Sequence, residues 1–368
     1  MRWFRRGISR GIYLAVAAVL AAATFVTPSG ASDDARFGVN RVNIAWLPSP
    51  ERENILASIA NNGIKSVRLS LTKPIDASID AIRIAHEKGL AILLEIPLSN
   101  PAYFPAGTKP RSGHGRIWDM YRLSDISPDL FRSAVGDALK KIDQLGVPLV
   151  AVETGNEINW GAYNGDLEVK SKAKTRTARS LKELNDLQTV ERGAANYVLL
   201  LKAVREQLAM TKYSAGAKVI SAGLSDIPVA DADRRGIDSI DPSAFTSLLQ
   251  KHGLDKVVDG YGIHIYPGSG GSSSARDQHM NQALSICGTK PDGKPCWITE
   301  WGFSNKSTSC SGDDRSRERL VRATKSRFEE LMQAGRVEAA YYFNWDATPY
   351  SVWRCGTLSP AGRMAVTP

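Results

Sequence analysis

The 368-residue chain has five histidines, four cysteines and no apolar run long enough to span a bilayer. Each shortage removes a class of function. The histidines are His86, His114, His252, His264 and His279, and none forms a two-histidine ligand spacing, so metal catalysis has little to build on. No G-x-S-x-G elbow occurs, which disfavours a serine hydrolase. Basic residues are not interleaved with aromatics as nucleic-acid binding requires. No metal, organic cofactor or nucleic-acid partner is expected.

Acidic residues are missing from the N-terminal end, with none before Asp33. There "MRWFRRGISRGIY" is basic, "LAVAAVLAAATFV" is apolar, and "TPSGAS" supplies small residues. This is the order of a secretory signal peptide, and the apolar run is shorter than the ~18 residues of a membrane span. Residues 1–31 are therefore read as a signal peptide, cleaved near Ala31 or Ser32, and 32–368 as one mature domain. An uncleaved anchor is the competing reading; the Arg5–Arg6 pair fits a twin-arginine signal poorly. The chain is expected to be exported, to the periplasm or outside the cell, as a monomer without a stable membrane span. Taking the +4 of Arg2, Arg5, Arg6 and Arg10 from the formal +9 leaves about +5, a mild charge that serves solubility.

Export turns the even cysteine count into a disulfide signal. Three pairings of Cys287, Cys296, Cys310 and Cys355 are formally possible. A local bridge from Cys287 to Cys296 would close the turn-rich "GTKPDGKP" loop and leave Cys310 for Cys355. A zinc site is the alternative, but no pair has close ligand spacing and no histidine lies nearby. With 43% hydrophobic residues, a chain of this length can build a large core without either kind of support.

What is present is alternation. Eight apolar runs, "RFGVNRVNIAW", "KSVRLSL", "LAILLEIPL", "VPLVAVETGN", "AKVISAGLS", "VDGYGIHIY", "PCWITEWGF" and "VEAAYYFNW", are separated by helical patterns such as "SPERENILASIANNG", "DASIDAIRIAHEKG" and "SPDLFRSAVGDALKKIDQLG". Apolar residues recur at helical spacing, glycine ends each segment, and two begin at "SP". Eight β-then-α units predict a parallel sheet closed into a single-domain (β/α)₈ TIM barrel of the α/β class. A doubly wound open sheet is the competitor, but no glycine-rich phosphate turn follows the first strand. Long connections follow strands three and four, over residues 100–128 and 161–185. Both rise from the face where barrel active sites form.

Glu157, in "VETGNEINW", ends the fourth candidate strand, and Glu300, in "PCWITEWGFS", ends the seventh. A lone glutamate at a strand end is ordinarily a solvated terminus or a salt-bridge partner. Two at the same barrel face are what glycoside hydrolysis requires, one to protonate the leaving oxygen and one to attack or direct water. His264 and Tyr266 lie on one side of the sixth strand, Arg68 approaches from the second and Trp345 from the eighth. Arginine and tyrosine beside Glu300 would keep it ionised; the tryptophan offers a face for a sugar ring. Asn156 could bond the sugar 2-hydroxyl.

These motifs resemble the retaining glycoside hydrolases of clan A: "NE" at Asn156–Glu157, "TEWG" around Glu300, "HIY" at His264–Tyr266, the "VRL" arginine and the strand-eight tryptophan. The contexts look most like the cellulase and mannanase family and its relatives. The resemblance implies that Glu157 is the acid/base and Glu300 the nucleophile. It also implies that Asn156, Arg68, His264, Tyr266 and Trp345 line the subsite at the scissile bond. The first-strand stretch and the long insertions depart from any one family pattern, so the sugar stays open. A β-linked polysaccharide or oligosaccharide, glucan or mannan in particular, is the expected substrate.

Glu95 and Glu153 are competing acids. Glu153 lies deeper in strand four, where an ion pair with Arg68 is its expected role; that commitment would weaken Arg68's support of Glu300. His264 has a second reading as a satisfied core histidine. Trp46, Trp118, Tyr121, Trp160, Tyr163, Trp301, Tyr350 and Trp353 are candidate outer sugar platforms, some of them core. Transfer to a sugar acceptor, or binding without turnover, would use the same barrel.

Overall fold

The computed structural model describes residues 35–367 apart from 112–119, 227, 269–271, 290–292 and 306–313. The signal-peptide segment, Cys310, Trp118 and His114 lie outside the described residues.

The eight apolar runs become eight parallel strands. They are β1 (Phe37–Asn40), β2 (Ser66–Ser70), β3 (Ala91–Ile96), β4 (Ala151–Asn156), β5 (Lys218–Ser225), β6 (Tyr261–Ile265), β7 (Cys296–Trp301) and β8 (Val337–Tyr342). Each pairs with its neighbour in chain order, and β8 returns to β1 to close the barrel. The (β/α)₈ expectation is met. Outside run α1 (Ser49–Asn61), α2 (Ile75–Glu87), α3 (Pro128–Gln144), α4 (Leu187–Ala209), α5 (Pro242–Lys251), α6 (Ser273–Ala283), α7 (Arg315–Gln333) and α8 (Pro360–Val366).

The helix signals work unevenly. At α3, Ser127 caps the Leu130 N–H at 3.4 Å and Pro128 takes the first helical position, as the "SP" pair predicts. At α1, Ser49 is already inside the helix, and its hydroxyl bonds Asp80 rather than the backbone. The helix α3 shows why the outer layer forms. Phe131, Val135, Ala138, Leu139 and Ile142 make one buried stripe at helical spacing. Each of the larger side chains contributes roughly 1.5–3 kcal/mol by burial, and Leu139→Ala would cost about 2–5 kcal/mol.

Two of the apolar clusters that result build the barrel and its helical layer. The larger fills the space between strands and helices. The smaller plugs the barrel with Leu93, Ala151, Ile220, Trp297, Ala339 and Tyr341. Above that plug the strand ends turn polar. No helix among the described residues is long and apolar enough to cross a membrane. Cys287 and Cys296 form a disulfide with a Cα–Cα distance of 5.2 Å, which is the local closure expected from the loop between them.

Candidate active site

The exit of β4 explains how Glu157 is aimed. Gly155 has φ 88° and Glu157 φ 45°; pairing with β5 stays in register to Asn156, and at Glu157 the chain turns over the barrel mouth. A side chain at Gly155 would also press on Leu98, at 2.9 Å. The left-handed conformation costs a non-glycine residue roughly 1–2 kcal/mol. It is held at Glu157 by two backbone bonds: its N–H donates to the Gly223 carbonyl (2.9 Å), and its carbonyl accepts from Trp160 N–H (2.8 Å). Strain retained by over-determined surroundings is common at functional positions.

Arg68, on β2, is the hub. Its Nε donates to Glu153 at 2.6 Å, Nη1 to Glu300 at 2.9 Å and to Asn40 at 2.9 Å, and Nη2 to Asn156 at 3.2 Å. The expected ion pair with Glu153 is present. The expected conflict with Glu300 is absent, because the planar fork of guanidinium donors serves both acids at once. Burial opposes the arginine's charge, yet Glu153 and Glu300 raise its pKa on balance. Glu153 is further bound by the Gly223 N–H (2.7 Å) and the Thr299 hydroxyl (2.8 Å).

Glu300 is gripped from its other side by the Tyr266 hydroxyl at 2.6 Å. Burial first, and then the charge of Glu300, raise that phenol well above its ordinary pKa, so it stays a donor. His264 Nδ1 stands 2.9 Å from Glu157 Oε1 and 3.6 Å from Glu300 Oε2. Burial opposes its protonation, but the charge of Glu300 and the bond to Glu157 raise its pKa overall. Glu157 is pushed up by burial, with Glu300 adding to the shift and His264 opposing it. One ligand atom from each of Glu157, His264 and Glu300 lies within 4.8 Å of the others. These atoms could in principle converge on a cation. The carboxylate oxygens are already engaged by an arginine, a tyrosine and a histidine, an arrangement suited to proton transfer.

The two glutamates face a cleft of ≈560 Å³ that is also lined by Trp46, Glu95, Tyr163 and Phe343. Trp46 is 65% exposed, a flat apolar surface at the rim. Trp345 does not fulfil its expected role. It is 1% exposed and stacked on Trp353 at 5.1 Å, so its face is covered. Phe343, two residues earlier, lines the cleft instead, with Tyr266 and Tyr350 edge-on to it. Trp160 is buried beside Ala162 and Ile237 and does not line that cleft. Trp301 is core, packed on Phe328 and Tyr342, and Tyr121 stacks on Phe104.

Three residues of the site escaped sequence reasoning. Asn40 bonds Arg68 and the Thr299 carbonyl. Thr299 bonds Glu153. A Cβ at Gly223 would collide with the His264 ring and the Thr299 hydroxyl, so only glycine admits them. The signal that could have found it was a glycine interrupting an apolar strand, which marks close approach.

No protein-family profile and no curated protein matches the sequence. Solved structures do match. One of two fungal β-1,4-galactanases has a TM-score of 0.54 at 14% identity, covering 90% of this chain and 98% of that one. The chain folds as such enzymes do. A Family 5 xyloglucanase from Paenibacillus pabuli (TM-score 0.52, 13% identity, 90% and 97% covered) is similar to it. So is a hyperthermophilic endocellulase from the archaeon Pyrococcus horikoshii (TM-score 0.52, 12% identity, 89% and 91% covered). At these identities the likeness establishes the barrel.

Proposed function

We propose that this chain is a retaining glycoside hydrolase acting on β-linked polysaccharide or oligosaccharide. Glu300 attacks the anomeric carbon while Glu157 protonates the departing glycosidic oxygen. The Glu300–sugar bond then breaks as water attacks the same carbon and gives its proton to Glu157, which restores both groups. The observation that carries the reading is the closeness of the two carboxylates on one barrel face, where an oxygen of each lies within 4.8 Å of the other. Retaining enzymes hold their carboxyl groups ~5–5.5 Å apart, and inverting ones ~6.5–9.5 Å. Unequal settings divide the labour. Burial raises Glu157 towards the neutral acid that the first step needs, whereas Arg68 and Tyr266 donate to Glu300 as a charged nucleophile requires.

Around the reacting carbon, Asn156 is free to donate through its amide nitrogen, because its oxygen accepts from Arg68. Phe343 and Trp46 supply apolar faces. The galactanase, xyloglucanase and endocellulase names of similar structures agree with a β-linked glycan. A glucan or mannan cut internally, by an exported monomer of residues 32–368, completes the proposal. The test is reducing-end release from β-glucans, mannans, xylans and galactans by wild type and Glu300→Gln. Release by the wild type alone establishes the chemistry and names the substrate. Equal release by both proteins would refute the assignment of Glu300.

A further inference from the structure

A third carboxyl faces the same cleft and has no part in the two-glutamate reaction. Glu95, near the end of β3, is 3% exposed, and its Oε1 has no hydrogen-bond partner among the described residues. The cation that acts on it, Arg68, is bonded instead to Glu153 and Glu300. On the wall of the same cleft, Thr72 Oγ1 is likewise buried and without a partner among the described residues. Two buried polar atoms without partners are costly in a folded interior. Here both adjoin a cavity large enough for sugar rings. A wall that needs hydrogen bonds and opens on a binding cleft is completed by whatever occupies that cleft.

We propose that Glu95, with Thr72, is a substrate-reading residue. Its free oxygen bonds a hydroxyl of the pyranose seated against Glu157 and Glu300, and so sets which β-linked sugar the cleft accepts. This deepens the hydrolase reading above and rests on it. The protonation state suits the task. Burial lifts the Glu95 carboxyl to about 7, with the charge of Arg68 and a bond from the Ser70 hydroxyl opposing the shift, so near neutrality its Oε1 side can donate as well as accept. Tyr163 lines the same cleft as Glu157, Glu300 and Glu95, which places them around one ligand volume. A site built to bond a particular hydroxyl discriminates strongly against sugars that misplace it, because its own polar groups are then left unpaired.

The test uses 2,4-dinitrophenyl β-glycosides of glucose, mannose, galactose and xylose with wild type, Glu95→Ala, Glu95→Gln and Thr72→Val. On the preferred sugar Glu95→Ala should lower kcat/KM roughly 10- to 100-fold. On the others the change should stay below about 3-fold, so that selectivity collapses. Glu95→Gln, whose amide both donates and accepts, should keep most of the selectivity, and Thr72→Val should shift it in the direction of Glu95→Ala. A uniform loss across the four sugars, or no change, in a protein with unaltered Tm overturns the proposal. Should Glu95→Ala not fold, Glu95→Met against Glu95→Gln makes the same comparison. Calorimetric binding of cello-, manno-, galacto- and xylotetraose keeps the test independent of turnover. Binding whose sugar preference is lost in Glu95→Ala, without turnover in the wild type, refutes hydrolysis and sustains this inference. Neither binding nor turnover refutes both.

Discussion

Replacing Arg68 by methionine tests whether the barrel mouth is held together by one charge. The guanidinium joins two acids that are themselves buried, with side-chain exposures of 2% for Arg68, 0% for Glu153 and 10% for Glu300. Methionine fills much of the same volume, so the loss is chiefly of charge and donors. Removing one member of a buried ion pair costs about 3–5 kcal/mol, because the partner is stranded without compensation. Two partners are stranded here, but Glu153 keeps the Gly223 N–H and Thr299 hydroxyl and Glu300 keeps Tyr266. The expected loss therefore stays within that range, equivalent to a Tm fall of roughly 4–7 °C for a domain of this size.

A double-mutant cycle separates this cause from lost packing. Arg68→Met with Glu153→Gln removes one stranded charge and should recover about 1–2 kcal/mol relative to Arg68→Met alone. Urea unfolding at pH 7, followed by circular dichroism, measures both. An Arg68→Met midpoint within about 1 kcal/mol of wild type would refute the reasoning. So would a double variant no more stable than the single one.

Glu157→Gln should lower kcat by roughly 10²–10⁴ on natural glycosidic bonds, and far less in the bond-breaking step of 2,4-dinitrophenyl glycosides, whose leaving group needs no proton; pre-steady-state dinitrophenol release reads the difference. Glu95→Gln should change how stability depends on pH. The folded Glu95 carboxyl titrates at about 7 against an ordinary 4.5, so the folded state keeps its proton after the unfolded chain has lost it. The contribution of Glu95 to wild-type stability therefore falls as pH rises from 4.5 to about 7, and the glutamine variant lacks that contribution. Between pH 4 and 8 the variant should gain up to about 3 kcal/mol on the wild type in urea titrations. An unchanged difference would show that Glu95 is not held neutral. Replacing Cys287 and Cys296 together by serine reopens a loop with a sequence separation of 9 and should cost about 2–3 kcal/mol by loop entropy, read from denaturant midpoints of the oxidised wild type and the variant.

The fold was legible because each strand is a short apolar run with a helix pattern behind it, and that alternation leaves few topologies. The acids were legible for a related reason. A charged residue at the end of a buried strand stands out against its neighbours, so Glu157, Glu300 and Glu153 could be singled out, and Arg68 with them. What could not be read was where the chain stops being a strand. The apolar run "VEAAYYFNW" reads as strand through Trp345, but the strand ends at Tyr342; Phe343 reaches the cleft while Trp345 stacks on Trp353. Trp160, a candidate sugar platform, lies past the turn at Gly155 and Glu157 and is buried beside Ala162 and Ile237. Small residues were the other blind spot. Gly223 and Thr299 carry no chemistry that a sequence advertises, yet they set how closely His264 and Glu153 can approach.

The same geometry explains why Glu95, Glu153, Glu157 and Glu300 crowd together near Arg68 at the mouth of the barrel. Strand register places Glu95 beside Glu153, Asn156 beside Gly223 and His264 beside Glu300, so the polar layer is crowded by construction. Four ionised acids around one permanent cation would repel one another strongly in so dry a setting. The layer resolves this by giving the acids different environments. Glu153 and Glu300 share Arg68, Glu157 is raised by burial beside His264, and Glu95 is raised by burial with no ion pair of its own among the described residues. A proton shared unequally among close acids is the condition that acid catalysis beside a charged nucleophile requires. On this argument Glu95 and Glu157 are linked through the field of Glu300, which raises both. Neutralising Glu300 as glutamine should therefore lower the apparent pKa of each, and ¹³C NMR of labelled glutamate carboxyls in Glu300→Gln would detect the two shifts together. If neither carboxyl moves, the acids titrate independently and the crowding has no electrostatic consequence.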